Sequence, residues 1–265
     1  MRSLFYYNSF MTQEERLNWL IVRLEKENNR YADIDSLSYE EKKKRLRALF
    51  NVRPPRPVSD EFLSVQDEYL KCEIKEKGIT DYPSLKPVKD HLCLWEGDIT
   101  TLKCDAIVNA ANGMLLGCFV PGHLCVDNCI HTFSGIQLRL ECYEIMKKRN
   151  MRSVETGEAI LTKAYNLPSK YVIHTVGPIV EGKPTREDAG LLASCYENCL
   201  ELAAQNNIRS IAFSSISTSS FGYPLKEACQ IALDTVLSFV KNHQIDVILD
   251  FFGGNGFKTC QEILN

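Results

Sequence analysis

The chain predicts a three-layer α/β/α domain with a mixed, largely parallel central sheet, preceded by an N-terminal helical extension. Three observations carry that prediction. From about residue 89, short β-branched or apolar runs alternate with amphipathic helical stretches, the pattern of strands joined by crossover helices. Before that point the sequence shows helical periodicity. The prolines of "RPPRP" at 53–57 break the helical part internally. The organisation expected is therefore an extension over 1–88 and an α/β domain over 89–265.

In the extension, "TQEERLNWLIVRLEKEN" places Leu17, Leu20, Ile21 and Leu24 on one stripe, with Thr12 as N-cap and Glu15 three residues on. "SLSYEEKKKRLRALF" repeats the pattern more weakly. Its basic run from Lys42 to Arg47, flanked by acidic residues, reads as the wet face of a helix. "SDEFLSVQDEYLKCEIKEKG" predicts a third helix capped by Ser59 and ended near Gly78. Further on, "CLWEGDIT", "AIVNAAN", "EAILTKAYN", "YVIHTVGP", "SIAFSSIS" and "VILDFF" are strand candidates. "LLASCYENCLELAAQNN" and "LKEACQIALDTVLSFVKNH" are helices between them.

Length and composition narrow the function. At 265 residues the chain buries a core without needing metal or disulfides to fold. A net charge of -3 argues against a general grip on nucleic acid or an anionic membrane. The N-terminal stretch lacks a signal-like apolar region, and no run approaches a membrane span, so a cytoplasmic location is expected. Eleven cysteines, an odd number scattered over strands and helices, suit reduced thiols with a few metal ligands.

In parallel sheets, ligands gather where the strands end. Glu96-Gly97-Asp98-Ile99-Thr100 presents a carboxylate able to accept from an exocyclic amine, although a turn aspartate has the same appearance. Asn109-Ala110-Ala111-Asn112-Gly113 combines small residues with two amides. "SSISTSSFGYP" offers hydroxyls, backbone amides and a helix N-terminus, an anion cradle suited to a diphosphate or a Ser-rich structural turn. Between them, Cys118, His123 and Cys125 form C-x4-H-x-C, two thiols and an imidazole of the kind that bind zinc. Three ligands leave a position open for chemistry, whereas structural zinc generally takes four. Cys129 and His131 are candidates for a fourth, but their place on the following helix predicts packing against the sheet instead. His174 reads as a core histidine of its strand.

Together "EGDIT", "NAAN", "VDNCIH", "HTVGP" and "STSSFGYP", in that order over 89–265, resemble the macrodomain family of ADP-ribose-binding modules. The resemblance implies an adenine pocket at Asp98 and Ile99, a ribose-facing Asn112, and a diphosphate loop of Ser217, Thr218, Ser219, Ser220, Phe221, Gly222 and Tyr223. It also places Phe251 and Phe252 near the adenine. The chain departs from the family pattern at Ser219, where glycine is usual, and at Ser220, where an apolar residue is common. It departs most at "GCFVPGHLC", which replaces a glycine-rich stretch and is similar to the zinc-dependent microbial branch, whose members also carry an N-terminal helical extension.

That branch implies Zn2+ on Cys118, His123 and Cys125. It implies removal of mono-ADP-ribose from modified protein side chains, with Asn112 and Asp127 in catalysis; Asp127 is read as general base, water orienter or helix N-cap. The partners implied are ADP-ribose, an ADP-ribosylated protein and, by analogy with the branch, a sirtuin-type ADP-ribosyltransferase and a lipoyl-carrier protein. Two other readings use the same residues: a non-catalytic ADP-ribose reader with structural zinc, and an O-acetyl-ADP-ribose deacetylase.

Overall fold

A computed structural model of the chain describes residues 11–31 and 33–265, so the first ten residues of the extension lie outside the description. Three helices open it: α1 (Gln13–Glu27), α2 (Tyr39–Val52) and α3 (Asp60–Lys77). Their ends follow the capping chemistry of the sequence. Thr12 Oγ1 accepts the Glu15 amide while Glu15 returns a carboxylate to the Thr12 amide. Ser38 and Glu41 do the same for α2, Ser59 caps α3, and Gly78 ends α3 at φ 89°.

The α/β part contains β1 (Thr80–Asp81), β2 (Pro87–Lys89), β3 (Leu92–Trp95), β4 (Leu102–Lys103), β5 (Ala106–Ala110), α4 (Val126–Ser134) and α5 (Ile136–Lys148). It continues with β6 (Ala159–Lys163), β7 (Tyr171–Thr175), α6 (Arg186–Gln205), β8 (Ser210–Phe213), α7 (Leu225–Val240), β9 (Asp246–Asp250) and α8 (Gly256–Leu264). The main sheet runs β2-β3-β9-β8-β5-β7-β6, parallel from β3 to β7 and antiparallel at both edges; β1 and β4 form a separate parallel pair. All six proposed strand segments lie in the main sheet. The edge strand β2, with every residue exposed, carries no apolar signature and escapes sequence reading.

The central strands are buried on both faces, which is why they read as continuous apolar runs. Ile107, Val172, Ala212 and Ile248 face one core; Ala106, Val108, Ile173, Ile211, Phe213, Val247 and Leu249 face the other with α6, α7 and α8. The first core is shared with the extension: Leu17, Leu20, Leu46 and Leu70 belong to the same cluster as Ile99, Ile130 and Leu138. Helices α1 to α3 therefore pack onto the α4–α5 layer.

The basic run of α2 is not a uniformly wet face. Lys42 is buried against Glu14, Lys43 pairs with Glu73 and Arg45 with Glu25, because α2 is wedged between α1, α3 and α4. Among the described residues, no helix is long and apolar enough to cross a membrane.

Because the core is continuous, Leu70→Ala is expected to destabilise the whole chain by about 2–5 kcal/mol. Urea unfolding followed by tryptophan fluorescence and by far-UV circular dichroism should shift together; two separated transitions would contradict a shared core.

Candidate functional site

Segments that follow the carboxyl ends of β3, β9 and β8 line a cleft of about 510 Å³. At one end lie Asp98, Ile99 and the segment following β9. Asp98 caps a short 3-10 turn at Ile99–Thr101, with Oδ1 accepting the Thr100 amide at 3.0 Å and hydroxyl at 2.6 Å, and Oδ2 accepting from Lys77 Nζ at 2.8 Å. Burial pushes the Asp98 carboxyl up, but the Lys77 and Thr100 bonds outweigh it and hold the group below the ordinary range. It is an ionised acceptor on the cleft wall.

The two rings after β9 separate. Phe251 is 6 % exposed and packs on Gly256, whereas Phe252 is 76 % exposed at the rim. Asp250, which the strand pattern hid, ends β9 buried on this wall with Oδ1 unpartnered. Burial, reinforced by the charge of Asp98, raises its carboxyl well above the usual range.

Thr218 and Ser219 also line the cleft. Their loop turns through left-handed backbone at Ser217 (φ 62°) and Gly222 (φ 72°). It closes on itself by the Tyr223 amide to Ser217 O at 2.9 Å and the Gly222 amide to Ser219 O at 3.1 Å. The Tyr223 ring turns into the second core, and Ser220, Phe221 and Gly222 lie away from the cleft wall. Ser219 in place of glycine is accommodated because the positive φ angles fall on its neighbours.

The start of helix α4 contributes Cys125, Val126 and Cys129 to the cleft lining. Cys125 occupies the N-cap position, which leaves Asp127 inside the first turn and rules out its N-cap reading. Its carboxylate is buried: Oδ1 accepts from Asn109 Nδ2 at 2.8 Å and Oδ2 from Asn112 Nδ2 at 3.2 Å. Burial pushes the group up to about 6 against the lowering influence of Asn109, Arg139 and Asn112. Asn112 also donates to Gly117 O at 3.1 Å and accepts the Met114 amide at 3.0 Å, so only its Oδ1 keeps a free lone pair. Neither residue is part of this cleft's lining; Asp127 is buried, whereas Asn112 is half-buried.

Asn109 joins the network to His174, its cross-strand partner, at 3.1 Å, and His174 Nε2 meets Thr162 Oγ1 at 2.9 Å. Since the Asn109 amide donates, His174 Nδ1 accepts and Nε2 carries the proton, and burial lowers its pKa to about 3.

Cys118, His123 and Cys125 do come together. Their donor atoms all lie within 4.8 Å of one another, with Cys118 Sγ 3.5 Å from His123 Nδ1. Cys129 and His131 lie outside this group. His131 is buried against Gly117, as expected for a residue turned inward. Cys129 packs in part against the core shared by the sheet and the extension, as expected, and also lines the cleft, accepting from Arg47 Nη2 at 3.3 Å. Burial, ahead of the neighbouring Cys118, pushes the Cys125 thiol up to about 12.

Two cations line the cleft, Arg47 and Lys77, and both come from the extension. Their role was not legible in the sequence, because nothing in helical periodicity shows which outward residue meets a distant loop.

The fold and cleft define an α/β unit in which a carboxylate, a hydroxyl-rich loop and a cysteine–histidine cluster lie at or beside one cleft. The Macro domain family matches residues 108–232. A protein-ADP-ribose hydrolase of Treponema medium is 50% identical over 231 residues, covering 85% of this chain and 88% of its own. A protein-ADP-ribose hydrolase of Staphylococcus aureus (strain Mu50) is 44% identical over 262 residues, covering 96% and 97%. Among solved structures, the Trypanosoma brucei macrodomain in complex with ADP-ribose superposes with a TM-score of 0.64 at 30% identity, covering 82% of this chain and 95% of its own. The Oceanobacillus iheyensis macrodomain with ADP gives 0.60 at 40% identity, covering 65% and 89%. The chain belongs to the macrodomain family.

Asn109→Ala should remove donors from both Asp127 and His174, leaving buried acceptors unpaired at a cost of about 1–3 kcal/mol. Thermal unfolding should show the loss; an unchanged midpoint would mean that the buried network does not hold β5 to α4.

Proposed function

We propose that this chain is a zinc-dependent hydrolase that removes mono-ADP-ribose from modified protein side chains. The single observation carrying this reading is the three-donor cluster of Cys118, His123 and Cys125, whose Cys125 forms part of the cleft wall. Relatives named protein-ADP-ribose hydrolases, similar over most of their length, support the substrate class. Two thiols and one imidazole within 4.8 Å fit zinc by donor chemistry, and a set of three leaves a coordination position for water or substrate. Bound there, zinc would supply Lewis acidity toward a sugar or leaving oxygen, or lower the pKa of a water.

The chain's own groups define how ADP-ribose would lie. Asp98, kept ionised by Lys77, accepts from the adenine amine, and exposed Phe252 offers its ring face to the base. Thr218, Ser219 and the amides of their loop take the diphosphate. Asn112, with one free lone pair on Oδ1, accepts from a hydroxyl of the distal ribose. Asp127, buried and spent on two amides, positions Asn112 and does not meet the substrate itself.

His123→Ala should reduce release of ADP-ribose from a modified protein to background and lower zinc from about one per chain, while calorimetric affinity for free ADP-ribose changes little. Retained turnover would overturn the zinc mechanism, and no turnover in the unmodified chain alongside tight ADP-ribose binding would make it a reader. Asp98→Ala is expected to weaken free ADP-ribose binding by about 1–3 kcal/mol; equal calorimetric affinity would take Asp98 out of the base contact.

A further inference from the structure

The loop that carries the metal donors is not held by a core of its own. Phe119, Val120 and Leu124 are 41 %, 57 % and 72 % exposed, so burial does little to fix the segment between Cys118 and Cys125. Its shape is set from outside, by two side chains one turn apart on α2. Arg47 Nη2 donates to the His123 carbonyl and to Asn128 Oδ1, each at 2.9 Å. Asn51, 1 % exposed, accepts the Gly122 amide on Oδ1 at 2.8 Å and donates from Nδ2 to Thr132 Oγ1 at 2.9 Å. Gly122 sits at φ 68°, a left-handed turn immediately before His123. Asn128, itself held by Arg47, donates to the Cys118 and Val120 carbonyls at 3.2 and 3.1 Å.

His123 is thus pinned through its own carbonyl and through the amide before it, and Cys118 is pinned through Asn128. Four of these bonds are directed at main-chain groups, so they constrain the path of the loop and not merely one side chain.

We propose that Arg47 and Asn51 are positioning residues for the metal, which makes the helical extension a required part of the metal site. This rests on the zinc reading and extends it to residues outside the ligand set. Groups that orient ligands without touching the metal typically change its affinity about 10- to 100-fold. In the full chain, zinc affinity is measured by competition with a chromogenic chelator for wild type, Arg47→Met, Arg47→Lys and Asn51→Ala.

Arg47→Met and Asn51→Ala should bind zinc about 10- to 100-fold more weakly, and Arg47→Lys, which keeps a donor, should lie between them and wild type. Hydrolysis should fall in parallel and return on adding zinc, a rescue that general loss of structure would not show. Thermal unfolding in excess chelator separates folding from metal binding; should Asn51→Ala unfold early there, Arg47→Met decides. Variants that fold normally yet hold zinc as tightly as wild type, or lose activity that zinc does not restore, overturn the clamp. A wild type that binds no zinc at all would instead remove the functional reading together with this one.

Discussion

The buried carboxylate of Asp127 organises the site. Burying an ionised carboxylate costs several kcal/mol unless hydrogen bonds replace its water. Here the replacements come from Asn109 on β5 and Asn112 on the loop that follows it, with the Arg139 cation adding a favourable field. One side chain on α4 therefore ties together a strand end, the loop beyond it and the helix whose start lines the cleft. Asn112 passes the constraint on to Gly117, where the cysteine–histidine loop begins, and Gly117 has no room for a side chain because His131 fills the space. Moving any of these pieces would leave a charged group without its donors.

The same economy of position explains why the extension belongs to the site. The strand ends supply carboxylates, hydroxyls and amides but, among the described residues lining the cleft, no cation; both cations there come from α2 and α3. Lys77 sits at the last position of α3, where a helix C-terminus favours positive charge, and pairs with Asp98. Arg139 on α5 adds a third link, donating to the Leu116, Phe50 and Arg53 carbonyls and so joining the end of α2 to the start of the cysteine–histidine loop. Burial lowers its pKa to about 10, which leaves it charged at neutral pH.

Much of this was legible in the sequence where a residue's role is local. Strands buried on both faces announced themselves by apolar runs, and Thr12 and Ser59 by their spacing from the helices they cap. The donor trio was legible because its three members lie within eight positions. Contacts between distant segments were not. Arg47 meets His123 across 76 positions, and its neighbours in sequence suggested only a charged surface. Asp250 was hidden inside an apolar strand, and the share of Cys129 that lines the cleft depends on how α4 is turned. The Phe251–Phe252 pair could be divided only by the backbone, since consecutive residues at a strand end face opposite ways.

The loop of Cys118, His123 and Cys125 shows a different solution to a problem that glycine-rich loops solve with backbone freedom. A loop that must approach a diphosphate closely can do so with glycines, at the cost of conformational entropy on ordering. This chain keeps Gly117 and Gly122 only where φ is positive and places Phe119, Val120 and Pro121 between them, residues that restrict the unfolded loop but make few buried contacts. Order must then come from directed bonds. They arrive from α2, α4 and α5 on one side, and on the other from whatever draws Cys118, His123 and Cys125 together. Two thiols and an imidazole have little mutual attraction of their own, and under the proposed zinc reading the cation would hold all three donors at once.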